Sequence, residues 1–204
     1  MNPSLATLAV VIAAYLIGSI SFAVVVSKVF GLPDPHSYGS GNPGATNVLR
    51  TGNKAAAALT LLGDGLKGFV AVLLAERLGA GWGDASLATA GAAIAVFLGH
   101  LYPIYYRFAG GKGVATALGI AFALSWQLGL ALCGVWLVAA LLTRMSSVAS
   151  IAAAIGAPLL GFYLLGNWPE AWALFPISAL LIWRHRGNIR KLLAGEERRI
   201  GQKV

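Results

Sequence analysis

Charge is scarce in this chain, and acid is scarcest: seven Asp and Glu stand among 204 residues, with 11% charged residues in all. A soluble domain carries about 25%, so the solvating charge is less than half the usual amount. Cysteine occurs once, at Cys133 within an apolar run, which excludes a disulfide framework and a Cys/His zinc cluster. Carboxylates are too few and too scattered for a hard divalent-cation site. The pattern G-x-S-x-G of a nucleophile elbow is absent. So is a His-x4-Asp acid–base pair, because Gly41, Tyr105 and Arg190 stand where that aspartate would follow each histidine.

Hydrophobic residues are abundant, at 58%, and the mean hydropathy is +0.76. Several apolar runs approach the ~20 residues that cross a bilayer. The chain therefore reads as an all-α, polytopic membrane helical bundle. Spans are expected at about Leu5–Val26, Lys54–Ala75, Ala85–Tyr106, Val148–Leu165 and Ala171–Trp183. The first is expected to be a retained helix, since no basic residue precedes Lys28 as a signal peptide requires. The stretch Val114–Leu142 would be about 43 Å long as one helix at 1.5 Å per residue. A bilayer core of ~30 Å sets that length against it, and the polar Ser125-Trp126-Gln127 lies near its middle. One tilted helix competes with two short ones.

Basic residues settle the choice. The net charge of +8 would suggest nucleic acid in a soluble chain, but in a membrane protein Lys and Arg collect in cytoplasmic loops. Two short helices over 114–142 place Lys28, Arg50, Lys54, Arg107, Lys112, Arg144 and the tail from Arg184 on one side. Arg77, Glu76, Asp84 and Glu170 then fall on the other. We expect seven transmembrane helices, the fourth and fifth short, with the N-terminus outside and the C-terminus cytoplasmic. Residues 1–204 read as a single domain.

Three polar clusters then share the cytoplasmic face. The first is SYGSGNPGATNVLR, Ser37–Arg50. Glycine allows close backbone approach, so successive N–H groups can cradle an anion. Ser40, Asn42, Thr46 and Asn47 add neutral donors, and Arg50 a planar fork suited to phosphate. The second is AGGKGVAT, Ala109–Thr116, a lysine among glycines at a helix start. It is not a Walker A loop, because Gly113 follows Lys112 where Ser or Thr is needed. The third is WRHRGNIR, Trp183–Arg190, where His185 and Asn188 share a face if the helix continues; its arginines read as a basic rim. Asp64 and Lys67, inside GDGLKG at membrane depth, need a partner or a polar cavity, so either a structural ion pair or a contribution to the site. These groups suit a metal-free site for one or two phosphates at the membrane surface.

GSGNPGATNVLR, GGKGVAT and HRGNIRKLLAGEE, in this order and spacing, resemble the three motifs of the bacterial acyl-phosphate:glycerol-3-phosphate acyltransferases. The resemblance covers essentially the whole chain. It implies a multi-pass enzyme of the bacterial inner (plasma) membrane with its active site facing the cytoplasm. Such an enzyme transfers an acyl group from acyl phosphate to the 1-hydroxyl of glycerol 3-phosphate, in phospholipid synthesis and without a cofactor. It further implies catalytic roles for Ser40, Arg50, His185 and Asn188, with His185 either a base or a phosphate ligand. Gly39, Gly41, Asn42, Gly44, Ala45, Thr46 and Asn47 would cradle acyl phosphate. Gly110, Gly111, Lys112 and Gly113 would bind glycerol 3-phosphate, with Lys67 added to the binding residues. Glu196 or Glu197 matches a structural glutamate, and a soluble enzyme that makes acyl phosphate is the implied partner. No nucleic acid is expected. Transport of an anionic solute is the competing class; it would need matched broken helices in both halves, and Gly63–Gly68 has no counterpart in the second half. A phosphotransferase acting on CDP-alcohols would need the carboxylates that this chain lacks.

Overall fold

The computed structural model describes residues 3–82 and 84–202, and these contain helices and loops but no strand. The helices are α1 (Pro3–Gly18), α2 (Phe22–Val29), α3 (Ala45–Val48), α4 (Lys54–Ala80), α5 (Ala85–Leu101), α6 (Val114–Leu124), α7 (Trp126–Thr143), α8 (Ser146–Leu165), α9 (Pro169–Arg184) and α10 (Arg186–Leu193). Four of them are long and apolar enough to cross a membrane, and five spans result if the bent pair α1–α2 counts as one.

The expected first helix is broken. α1 and α2 meet at 42° around Ser19-Ile20-Ser21. The Ser19 hydroxyl turns back to donate to the Tyr15 carbonyl at 2.9 Å, a competitor of the helical ladder. The break frees the carbonyl of Ile20, and the ammonium of Lys67 donates to it at 2.7 Å. Lys67 also pairs with Asp64 at 2.8 Å, both side chains being almost fully buried. The ion pair of α4 thus closes an opening in the first span.

α4 runs on past Ala75 to Ala80, while α5 stops earlier than expected, at Leu101. Pro103 cannot supply a ladder N–H, and a single 3-10 turn at Ile104–Tyr106 follows. The stretch 114–142 is two helices: Ser125 takes extended dihedrals (φ −165°, ψ 130°) and caps α7 by accepting from the N–H of Leu128. Gly129 of α7 then lies against the ring of Phe122 in α6. α9 ends at Arg184, and His185 (φ −90°, ψ 4°) separates it from α10, so the last helix does not continue through the third motif.

Most buried apolar positions are alanines, packed around a few large side chains. Phe97, Leu101, Ile120, Val72 and Val96 form the centre among alanines, whereas Leu62, Leu141, Leu142 and Leu159 are exposed. This is what a bilayer demands, because lipid gives large side chains no reason to turn inward and tight backbone contact holds helices together. α4 and α6 cross closely, and a Cβ on Gly119 would stand 1.9 Å from the carbonyl oxygen of Gly65. Gly119→Ala should therefore force the two helices apart at about 1–3 kcal/mol. A thermal melt in detergent should fall by roughly 2–4 °C per kcal/mol, while Gly134→Ala, with open space at its Cβ, leaves the midpoint unchanged. Equal midpoints for the two variants would refute this packing.

Candidate active site

The loop between α2 and α4 is folded around one side chain. Asn47 is 2% exposed and uses its full hydrogen-bonding capacity. Its Oδ1 accepts from the Ser40 N–H at 3.0 Å and the Ser40 hydroxyl at 3.2 Å, and its Nδ2 donates to the carbonyls of Pro35 at 2.8 Å and Tyr38 at 3.2 Å. Gly39 takes φ +61°, and a Cβ there would meet Asn47 Oδ1 at 2.3 Å and Arg50 Nη1 at 3.2 Å. The guanidinium of Arg50 therefore lies against the glycine that precedes Ser40. Serine and arginine are brought together by a position that only glycine fills.

This loop touches the second one twice. His36 Nε2 donates to the carbonyl of Ala109 at 2.9 Å, while its Nδ1 meets the Asp34 carboxylate at 2.7 Å. The N–H of His36 holds the Asp34 carboxyl below its ordinary range, with the imidazole adding to the effect. Pro43 presents its carbonyl oxygen 2.9 Å from where a Gly111 Cβ would be.

The second loop sits on the end of α5. Cβ atoms on Gly110 and Gly111 would stand 2.2 Å from the carbonyl oxygen and from Nε2 of His100, respectively. The N–H of Gly111 donates to that same carbonyl at 3.1 Å. Gly113 has φ +83° and would press a Cβ to 2.3 Å from the Phe97 ring. From the other side Arg184 clamps the loop: Nε donates to the Gly111 carbonyl at 3.0 Å and Nη2 to the Gly110 carbonyl at 2.6 Å. Beneath it, His100 Nδ1 lies 3.2 Å from the hydroxyl of Thr116 and 3.6 Å from Asp64. Thr116 spends its proton on the Asp64 backbone carbonyl at 3.0 Å, so Nδ1 carries the hydrogen of the His100–Thr116 pair.

The third motif closes the site. Lys112 donates to Asn188 Oδ1. Asn188 in turn donates to Glu197 at 2.7 Å, and Ser147 donates to the same carboxylate oxygen at 2.5 Å. Glu197, not the exposed Glu196, is the glutamate that anchors this motif. Burial lowers the Lys112 ammonium from its ordinary 10.5 to about 8; Glu197 opposes the fall, and Arg184, Arg50 and Lys191 add to it. His185 is 3% exposed. Its Nδ1 faces the Leu181 carbonyl at 2.8 Å, an acceptor, so Nδ1 bears the hydrogen and Nε2 the lone pair. Burial lowers its pKa to about 4, opposed by the Leu181 carbonyl and Glu197, so the ring is neutral at physiological pH.

Ser40, Arg50, Lys112, His185 and Asn188 thus belong to one cluster drawn from two loops and the α9–α10 junction. Two expected binding residues have side chains engaged elsewhere. Lys67 is spent on Ile20 and Asp64 within the first helix break, and the side chain of Asn47 is fully used inside its own loop. Sequence alone gives no role to His100, Ser147 or His36, includes Thr116 only as the end of the second cluster, and reads Arg184 as a rim arginine.

The family model described as glycerol-3-phosphate acyltransferase matches residues 8–195. A protein of that name from Cupriavidus necator is 61% identical over 201 residues, covering 98% of either chain. Another, from Burkholderia pseudomallei, is 61% identical over 194 residues and 94% of each. Among solved structures, the glycerol 3-phosphate form of the integral membrane acyltransferase PlsY superimposes with a TM-score of 0.87 at 43% identity, covering 96% of both chains. Its lysophosphatidic acid form gives 0.86 at 42% identity, covering 96% of this chain and 95% of that one.

The Lys112 environment can be measured directly. In 13C-dimethylated protein, the Lys112 signal should titrate near pH 8. In Glu197→Gln its midpoint should fall further, because the charge that supports the ammonium is gone. A midpoint near the ordinary ~10.4 would contradict the buried placement.

Proposed function

The chain belongs to the glycerol-3-phosphate acyltransferase family, and on that footing we propose that it acylates the 1-hydroxyl of sn-glycerol 3-phosphate from acyl phosphate. The products are lysophosphatidate and inorganic phosphate. The observation that carries the reading is the meeting of two glycine loops at Gly111 and Pro43, with Lys112 next to Gly111 and Arg50 near enough to depress its ammonium. Two anions must approach each other there, and two cations lower their repulsion.

Acyl phosphate is a mixed anhydride with a good leaving group, so the task is placement more than activation. The hydroxyl oxygen of glycerol 3-phosphate attacks the acyl carbonyl carbon, the carbon–oxygen bond to phosphate breaks, and the phosphate departs with that electron pair. Ser40, Arg50 and loop N–H groups other than those of Ser40, Gly41 and Asn47, which already have acceptors, hold the acyl phosphate, with Asn47 setting their arrangement. Lys112 and the backbone of Gly110–Gly113 hold glycerol 3-phosphate. The proton goes to a substrate phosphate, whose second pKa near ~6 exceeds the value of about 4 for His185. The unprotonated Nε2 of His185 orients a hydroxyl by accepting from it.

The reading implies one domain over 1–204, of which 1–2, 83 and 203–204 lie outside the described residues. It implies seven spans: α1–α2 as one, then α4 to α9 singly; the fourth, α6, is short as expected, whereas the fifth, α7, has 18 residues and is not. The polar contacts segregate accordingly. Ile200 donates to the Arg144 carbonyl at 2.6 Å beside the Glu197–Ser147 pair. Away from these, Ser86 donates to Glu170 at 2.6 Å. The first end is the cytoplasmic face of the inner membrane, with the C-terminus there and the N-terminus outside. Acyl phosphate would arrive from a soluble enzyme.

The decisive assay offers purified protein palmitoyl phosphate, acyl-CoA or acyl carrier protein, each with and without EDTA. Turnover should occur with acyl phosphate alone and be unaffected by the chelator; loss on chelation would end the metal-free scheme. For orientation, Cys133→Ala carrying Gly187→Cys should be labelled in cells only by a membrane-permeant maleimide, and Asn167→Cys also by an impermeant one. Equal labelling at both positions would refute the sidedness.

A further inference from the structure

We infer that Arg184 is a positioning residue that fixes which way the peptides of the glycine loop point, and through them the affinity for glycerol 3-phosphate. The inference rests on the function proposed above. A trans peptide is planar, and its C=O and N–H point in opposite directions. In the Gly110–Gly111 peptide both ends are held: the carbonyl by Arg184 Nη2 at 2.6 Å and the N–H by the His100 carbonyl at 3.1 Å. In the next peptide the Gly111 carbonyl is held by Arg184 Nε at 3.0 Å. The N–H of Lys112 must therefore face away from Arg184, and among the described residues no protein acceptor meets it. The donor left over stands at the root of the Lys112 side chain, where an anion would use it.

A preceding glycine makes this orientation soft by itself, since the ψ of Gly111 turns without a Cβ to obstruct it. Without the clamp, the Gly111–Lys112 peptide can reverse and present its carbonyl oxygen, the negative end of the dipole, to an incoming phosphate. The guanidinium is well placed to prevent that. It lies 5.8 Å from the Tyr102 ring centroid, and the Tyr102 carbonyl is in turn held by the Tyr15 hydroxyl at 2.7 Å. No carboxylate forms an ion pair with Arg184 among the described residues, so the fork is committed to the two carbonyls. It also ends the helix that delivers His185, so one terminus of α9 sets both the loop and the histidine. A lysine would keep the charge but lose the planar fork that spans two adjacent carbonyls.

The test compares wild type, Arg184→Lys and Arg184→Ala in purified form, measuring the KM for each substrate and the melting midpoint. Arg184→Lys should raise the glycerol 3-phosphate KM several-fold and Arg184→Ala by about tenfold or more, as expected for losing a charged hydrogen bond. The acyl phosphate KM should stay within about twofold, because a uniform binding loss appears in the KM of the ligand concerned. Millimolar ethylguanidine should restore part of the affinity of Arg184→Ala, which a merely damaged fold would not allow. If Arg184→Ala fails to fold, Arg184→Lys decides alone. An unchanged glycerol 3-phosphate KM, or equal changes for both substrates, overturns the inference. Absence of acyl-phosphate turnover in wild type would instead refute the proposed function itself.

Discussion

Two glycines seated on the last turn of α5 set the position of everything that the site contains. Gly110 and Gly111 approach His100 so closely that a methyl on either would overlap its carbonyl or its imidazole. Because the loop is in backbone contact with a helix end, Lys112 emerges at a fixed height, Pro43 of the first loop can reach Gly111, and Arg184 can reach two successive carbonyls. A side chain in either place would lift the loop off its seat and separate all three partners. Close approach is here a matter of architecture before it is one of ligand binding.

The same economy governs the apolar interior. A carboxylate and an ammonium at membrane depth are costly unless each is met by a partner. Asp64 and Lys67 meet each other, and the ammonium also satisfies the carbonyl that the α1–α2 break leaves open. Asp64, His100 and Thr116 in turn carry the seat of the loop. One buried cluster therefore ties the bend in the first span to the glycine loop, through helices packed backbone to backbone.

Electrostatically the site is a collection of cations with little acid among them. Arg50, Arg184 and Lys191 all depress the ammonium of Lys112, and Glu197 is the charge that partly offsets them. Like charges held together without a ligand are a standing cost, which a bound dianion would relieve. The neutral His185 fits the same setting: burial disfavours a further proton on it, and Lys112 and Arg184 add to that.

The sequence alone determined that the chain is helical and apolar, and it singled out three polar clusters as candidates for the chemistry. Hydropathic runs and charge scarcity are local properties, and glycine-rich motifs announce close approach wherever they fall. Even the break at Ser125 was legible, since polar residues interrupt a run too long for one span. The tertiary structure decided the rest. Asn47 is a loop staple, Lys67 closes the break at Ile20, Glu197 and not Glu196 anchors the third motif, and Arg184 is a clamp instead of a rim charge. Most of these are contacts between residues far apart in the chain: 47 positions separate Lys67 from Ile20, and 73 separate Arg184 from Gly111. Helical periodicity and turn propensity say nothing at such separations; only the packing of α4, α5, α6 and α9 brings those atoms within reach.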